Sequence, residues 1–170
     1  MIDRPHISQT MAQSPIVRPA GEEDTPAIAG LWNGVFIREQ GIARPSWSES
    51  DVCEVAVAGD VFVAEREERV IGAVALVPHG TSLASITRAR ESQVLWLAVE
   101  ESSRRSGAAD ALMEQCVECA RRRGDAAIVL WTRSSMEAAQ SLYKRLGYVR
   151  APDRDCVPSR GRQLTYQLDL

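Results

Sequence analysis

The sequence predicts a mixed α/β fold: a mostly antiparallel central sheet of about seven strands with helices on both faces. Three observations predict it. Short apolar runs of strand length alternate with helix-period segments in the order β-α-α-β-β-β-α-β-α-β-β. The middle of that order is a strand–helix–strand unit over residues 93–99, 108–123 and 127–131, which calls for a right-handed crossover and a parallel strand pair. An early hairpin and the final two strands call for antiparallel pairing on either side.

Residues 1–14 mix Pro, Ser and Gln with few large apolar groups and read as a flexible leader, leaving 15–170 as a single domain. Residues 16–19 form a short strand closed by Pro19. Glu22, Glu23 and Asp24 place negative charge at a helix N-terminus, with Pro26 in its first turn and Ile28, Leu31, Trp32, Val35 and Phe36 along its apolar face. Gly and Pro interrupt residues 41–47, after which Ser48 or Ser50 caps a second helix through about Val57. Residues 61–64 and 70–77 make a hairpin around Glu67-Glu68-Arg69, with Gly72 inside the return strand.

A loop over 78–91 leads into the strand 93–99 and the helix 108–123. On that helix Ala108, Leu112, Cys116 and Ala120 line one apolar face, and Arg121, Arg122, Arg123 and Gly124 mark its end. A strand follows over 127–131, then a helix over 136–146 capped by Ser134 or Ser135 and stopped by Gly147. Tyr148-Val149 is a short strand, and residues 164–170 alternate Leu164, Tyr166, Leu168 and Leu170 on one face.

Composition narrows the function classes. The chain carries a formal charge of -3, which argues against a general nucleic-acid surface. No apolar run reaches the roughly 20 residues of a membrane helix, and the N-terminus lacks the apolar core of a secretory signal, so a cytoplasmic protein that binds neither membrane nor nucleic acid is expected. Cys116 and Cys119 have metal-site spacing but lie mid-helix with no second Cys or His pair, so they read as structural and no metal is expected.

The informative stretch is 93–123, where a strand runs through an Arg-, Ser- and Gly-rich turn into a helix N-terminus. First-turn N–H groups without intrahelical partners, together with the helix dipole, favour an anion there. Ser106, Gly107, Ala108 and Ala109 are small enough for a phosphate to approach the backbone, and Arg104 and Arg105 add charge. A P-loop is excluded because no Gly-Lys-Ser/Thr closes the turn.

Three segments together resemble the GNAT acetyltransferase superfamily across nearly the whole chain. Leu97-Ala98-Val99 followed by Arg104-x-x-Gly107-x-Ala109 is similar to its acetyl-CoA signature. Met136, Leu142-Tyr143 and Leu146-Gly147-Tyr148 are similar to a later signature, and Ile16-Val17-Arg18-Pro19-Ala20 with Asp24 is similar to the family's first strand and helix entry. The resemblance implies an acetyl-CoA-dependent N-acetyltransferase in which a primary amine attacks the thioester directly. It implies that the diphosphate of coenzyme A lies on Arg104, Arg105, Ser106, Gly107, Ala108 and Ala109, and that the pantetheine arm enters beside Leu97, Ala98 and Val99 as if it were an extra strand. A backbone N–H near Ala98 or Val99 faces the thioester carbonyl, and Tyr143 gives the leaving thiolate a proton or a hydrogen bond.

Some relatives have a Glu base where this chain has Gln93, which leaves Glu91 or a chain of waters to take the amine proton. Many have Asn at Ala139 and Gly at Arg105; Ser134 and Gln140 can partly replace the missing Asn contact. The acceptor, a small molecule or a peptide, is expected among residues 36–47, 78–91 and 152–162, where Asp153 and Asp155 can attract a cationic amine. Trp96 and Trp131 read as core or cleft wall, and His79 as a solvated loop residue. Relatives often dimerise, so a homodimer is compatible with the resemblance. A non-catalytic coenzyme A-binding sensor or partner-binding module on the same fold, or transfer to oxygen, stays open at this point.

Overall fold

A computed structural model describes residues 14–40, 46–155 and 162–170. The expected leader lies outside the described residues except for Ser14. The sheet has seven strands in the order β1-β2-β3-β4-β5-β7-β6. They are β1 (Ile16–Pro19), β2 (Asp60–Arg66), β3 (Arg69–Pro78), β4 (Glu91–Val99), β5 (Ala127–Arg133), β6 (Val149–Arg150) and β7 (Gln163–Asp169). Every neighbouring pair is antiparallel except β4 and β5, the pair joined by the helical crossover.

Helices cover both faces. On one face α1 (Thr25–Trp32) and α2 (Glu49–Ala58) pack Ile28, Trp32, Val52 and Val55 against Val63, Ala73 and Ala75 of the sheet. On the other, α3 (Ala108–Arg123) and α4 (Glu137–Arg145) pack Leu112, Met113, Cys116 and Tyr143 against Ile128, Leu130 and Tyr166. The apolar stripe of α3 is the expected one, and Leu164, Tyr166 and Leu168 of β7, with Leu170 just beyond it, all turn to that same face. Gly72 permits this packing: a Cβ there would lie 3.1 Å from Leu112 Cδ1 and 3.2 Å from the Ala98 carbonyl oxygen. Among the described residues no helix is long and apolar enough to cross a membrane.

Several boundaries differ from expectation, each for a local reason. The first helix does not stay α-helical; Asn33–Glu39 is a π-helix whose register shows in the bond from Gln40 N–H to the Val35 carbonyl, 3.1 Å. Asn33 is anchored, because its side chain both donates to the Trp47 carbonyl at 2.9 Å and accepts from the Trp47 N–H at 2.7 Å. Ser48 caps α2 as expected, and its Oγ accepts the Asp51 N–H. Neither Ser134 nor Ser135 caps α4; its N-cap is Met136, with no side-chain bond to the first turn. β4 begins at Glu91 and β5 continues to Arg133, both longer than the apolar runs alone suggested, because polar ends still complete the ladder.

The root of the β6–β7 connection is held by charge. Arg150 donates to both carboxylate oxygens of Asp155 at 2.9 and 2.7 Å, and the Thr165 N–H donates to the same carboxylate at 2.8 Å. Arg150 therefore holds the Asp155 carboxyl below the ordinary range. A lowered folded-state pKa means that the ion pair contributes fully above the unfolded value of about 3.9 and fades as pH falls through the folded value. Asp155→Asn should lower the melting temperature at neutral pH, and the difference from the parent protein should shrink as pH falls below the unfolded value of about 3.9, as thermal melts across the acid range will show.

Candidate functional site

The site begins where two strands part. β4 and β5 pair only over Glu91–Ala127, Ser92–Ile128 and Gln93–Val129. Beyond that point each strand keeps its other neighbour, β3 or β7, but the two no longer touch as a ladder. Backbone groups along their facing edges are left to an open wedge.

A β-bulge widens the opening. Ala73 of β3 faces Ala98 and Ala75 faces Leu95, so Trp96 and Leu97 together oppose Val74. Trp96 takes the left-handed backbone conformation, with φ of 53°. The extra residue breaks the alternation: Leu95 and Trp96 both pack towards α1, while Leu97 and Val99 pack towards α3. The Glu100 N–H donates to the Ile71 carbonyl on β3 at 2.8 Å. Strand alternation then turns the Val99 N–H the other way, towards the wedge.

The wedge holds a cavity of about 150 Å³. Val94, Leu95, Trp96 and Leu97 form its β4 wall, and Trp131, Thr132 and Arg133 its β5 wall. Met136 and Tyr143 close it on the α4 side, and Phe36, Gln40 and Trp47 on the side of α1. Trp47 and Trp96 meet edge to face with ring centroids 4.6 Å apart, and Trp32 backs both at 4.7 and 5.4 Å. Packed aromatic rings of this kind make a stiff wall.

Tyr143 is buried in the α4 helix beside Tyr148 and Tyr166, with ring centroids 6.0 Å from each. Burial pushes its phenol well above the ordinary tyrosine range, so it stays a neutral O–H donor. It borders the same cavity as Leu97, bringing those two sequence candidates together.

Beyond β4, residues Glu101–Ser103 make one 3-10 turn, and the chain reverses through Arg105 and Gly107, with φ of 62° and 84°, into α3. The first internal bond of α3 is from Ala111 N–H to the Gly107 carbonyl, so the N–H groups of Ala108, Ala109 and Asp110 precede the helical ladder. Arg104 and Arg105 are exposed. The Ser106 hydroxyl is buried with no hydrogen-bond partner among the described residues. An unpaired hydroxyl beside open helix N–H groups fits an oxygen-rich anion such as a phosphate.

Other candidates lie elsewhere. Glu91 sits at the paired end of β4, away from the cavity lining. Arg154 donates to its two oxygens at 2.7 and 2.9 Å, and the Arg88 N–H adds a third bond at 2.7 Å. Both members of the pair are buried. Gln93 is buried and fastens the β3–β4 loop, accepting from Ile86 N–H at 3.2 Å. Ser134 is exposed and gives its N–H to the Arg162 carbonyl, 3.2 Å, outside the cavity lining. Asp155 is committed to Arg150, and Asp153 pairs with Arg88 at 3.3 Å, so neither is directed at the cavity. Of the expected acceptor segments, 36–47 reaches the cavity through Phe36, Gln40 and Trp47; residues 41–45 and 156–161 lie outside the described residues.

Sequence reasoning missed Arg133; it named Met136 and the segment holding Gln40 without giving either residue its place in the cavity wall. Arg133 was hidden because the strand was ended at Trp131; two further residues place both on one face. The thiols of Cys116 and Cys119 are pushed up mainly by burial, and neither borders the cavity. Among the described residues no group of three or more His, Cys, Asp or Glu is placed to hold a metal ion.

Residues 21–148 match the model of the Acetyltransferase (GNAT) family. The chain belongs to that family. It is 33% identical to human N-acetyltransferase 8B over 125 residues, 72% of this chain and 54% of that protein. It is 32% identical to human N-acetyltransferase 8 over 120 residues, 63% of this chain and 52% of that protein. The chain thus spans about half the length of these relatives. Among solved structures, yncA from Salmonella typhimurium, determined with its cofactor acetyl-CoA, superposes with a TM-score of 0.75 at 18% identity, covering 93% of this chain and 95% of that one. The ribosomal-protein-alanine N-acetyltransferase of Brucella melitensis gives 0.73 at 20% identity, covering 91% and 99%. These likenesses establish the GNAT fold for the seven-stranded sheet.

Removing one member of a buried ion pair strands the other. Glu91→Gln should lower the unfolding free energy by about 3 kcal/mol or more, measured by urea denaturation.

Proposed function

We propose that the protein is an acetyl-CoA-dependent N-acetyltransferase acting on a primary amine by direct attack. The observation that carries this reading is the wedge between β4 and β5, which has the Arg104–Ala109 turn beyond one strand and the Tyr143 phenol at its side. In this reading the diphosphate of coenzyme A rests on the open N–H groups from Ala108 onward and on the Ser106 hydroxyl, with Arg104 and Arg105 adding charge. The pantetheine arm lies in the wedge and takes hydrogen bonds that a strand neighbour would otherwise take. The Val99 N–H is one such donor.

The chemistry follows from the lining. A neutral amine nitrogen attacks the thioester carbonyl carbon, and backbone N–H groups at the bulge stabilise the negative charge that develops on oxygen. The carbon–sulfur bond breaks and sulfur keeps the electron pair. The nitrogen gives up a proton and the sulfur gains one, so the products are an amide and a free thiol. No carboxylate is found among the described lining residues, so water carries the proton from nitrogen. Because its pKa is raised, Tyr143 acts chiefly as a hydrogen-bond donor to the departing thiolate; full transfer to a less basic sulfur would run uphill. The buried or half-buried, raised-pKa cysteines favour this direct route over an acyl-enzyme.

Thiol release from acetyl-CoA with a panel of amines tests the reading. Tyr143→Phe should lower kcat by about a hundredfold while leaving the acetyl-CoA dissociation constant within a factor of about three. The parent's kcat/KM should rise with pH as the acceptor ammonium deprotonates. It should not fall again up to about pH 10, because the donor form of Tyr143 survives there. Tight acetyl-CoA binding without turnover on any amine would instead identify a coenzyme A-binding sensor.

A further inference from the structure

We propose that the acceptor is a free α-amino acid, or a close amino-carboxylate analogue, with a bulky apolar side chain, and that Arg133 binds its carboxylate. This deepens the acetyltransferase reading and rests on it. Among the described residues lining the cavity, Arg133 is the sole charged side chain. It is half-buried, and its guanidinium makes no hydrogen bond or ion pair with the described residues. Most other arginines near the sheet are paired: Arg18 with Asp24, Arg123 with Asp60, Arg150 with Asp155 and Arg154 with Glu91. A half-buried guanidinium left without a counter-ion is a site for a carboxylate, which it can hold through two parallel bonds.

Position supports the same assignment. Ile128 and Leu130 of β5 face α3, so Trp131 and Arg133 face the opposite side, towards α1 and the π-helix. That side is away from the phosphate-binding turn and carries Phe36, Gln40, Trp47 and Trp96. Gln40 supplies a second unmet group: its Oε1 is buried with no partner among the described residues, and an amine N–H can satisfy it. The rings of Trp47, Trp96 and Trp131 offer an apolar surface for the side chain.

Chemistry then excludes the alternatives. A polyamine would bring further positive charge into a cavity whose sole charge among the described residues is already positive. A protein N-terminus has no carboxylate on the reacting residue. An α-amino acid offers the anion, the amine and the apolar group on one carbon. The balance is that of the parent reaction: the nitrogen–carbon bond forms, the carbon–sulfur bond breaks, and the amine proton ends on the thiol by way of water.

Matched pairs test this. Thiol release is measured with L-phenylalanine against phenethylamine, L-tryptophan against tryptamine, and L-leucine, with L-phenylalanine amide, spermidine and an N-terminal peptide amide as the competing classes. The carboxylate member of a pair should be preferred in kcat/KM by about tenfold or more. Arg133→Gln should remove the preference through KM, with kcat largely kept, and Arg133→Lys should restore part of it. Better turnover of the decarboxylated amines, spermidine or the peptide, or a preference unmoved by Arg133→Gln, would overturn the assignment while leaving the acetyltransferase reading intact. If nothing is turned over, that reading fails instead. Calorimetry of L-phenylalanine and phenethylamine on the coenzyme A-loaded protein then decides the site, and equal binding of the two overturns it.

Discussion

The parting of β4 from β5 is the constraint on which the site depends. A parallel pair that stayed in register would bury its backbone edges in a ladder and leave no room for a ligand. Here the pairing stops at Gln93 and Val129, and the chain is built to keep it stopped. At the paired end, Glu91 and Arg154 form a buried ion pair, and the Ser92 hydroxyl donates to Asp125 at 2.5 Å while accepting from Arg123 at 2.8 Å. The Ala126 N–H donates to the Arg90 carbonyl, 2.7 Å, closing the same end. At the open end, the bulge at Trp96 and the Trp32–Trp47–Trp96 cluster hold β4 away. One end is clasped by charge and the other is propped by aromatic packing.

In this division of labour Glu91 belongs to the clasp, where both of its carboxylate oxygens accept from Arg154. A carboxylate at the clasp holds its guanidinium partner and cannot also move protons at the open end. The open end, in turn, is poor in charge because apolar walls keep the wedge from collapsing into hydrogen-bonded water. The polar exceptions there are the Arg133 guanidinium and Gln40 Oε1, neither of which has a partner among the described residues. Unmet polar groups in a rigid apolar setting are what a binding site costs the fold.

Much of this was legible in the sequence. Strand and helix order, the antiparallel flanks, the α3 stripe and the β7 alternation all follow from hydrophobic period, because burial decides them. The Arg104–Ala109 turn could be located because small residues and a helix start leave a local trace, whereas Tyr143 was named only through the resemblance to the family signature. What escaped depended on tertiary detail. The α-to-π change after Trp32 begins at Asn33, whose side chain clamps Trp47, a contact that no period reports. The bulge needs β3 as a partner before it exists. Arg133 was lost to a boundary, since a polar strand end looks like a loop until its ladder is seen. Glu91 lay on the right strand, but its partner Arg154 is far along the chain.

The central claim is that the wedge and the turn beyond it receive acetyl-CoA. Amide hydrogen exchange with and without acetyl-CoA measures this directly. The account predicts added protection of the amides of Leu97 and Val99 on β4 and of Ser106 to Asp110 at the start of α3, with the paired segment at Glu91 to Gln93 unchanged. Binding that leaves those amides unprotected, or that protects a different edge of the sheet, would contradict it.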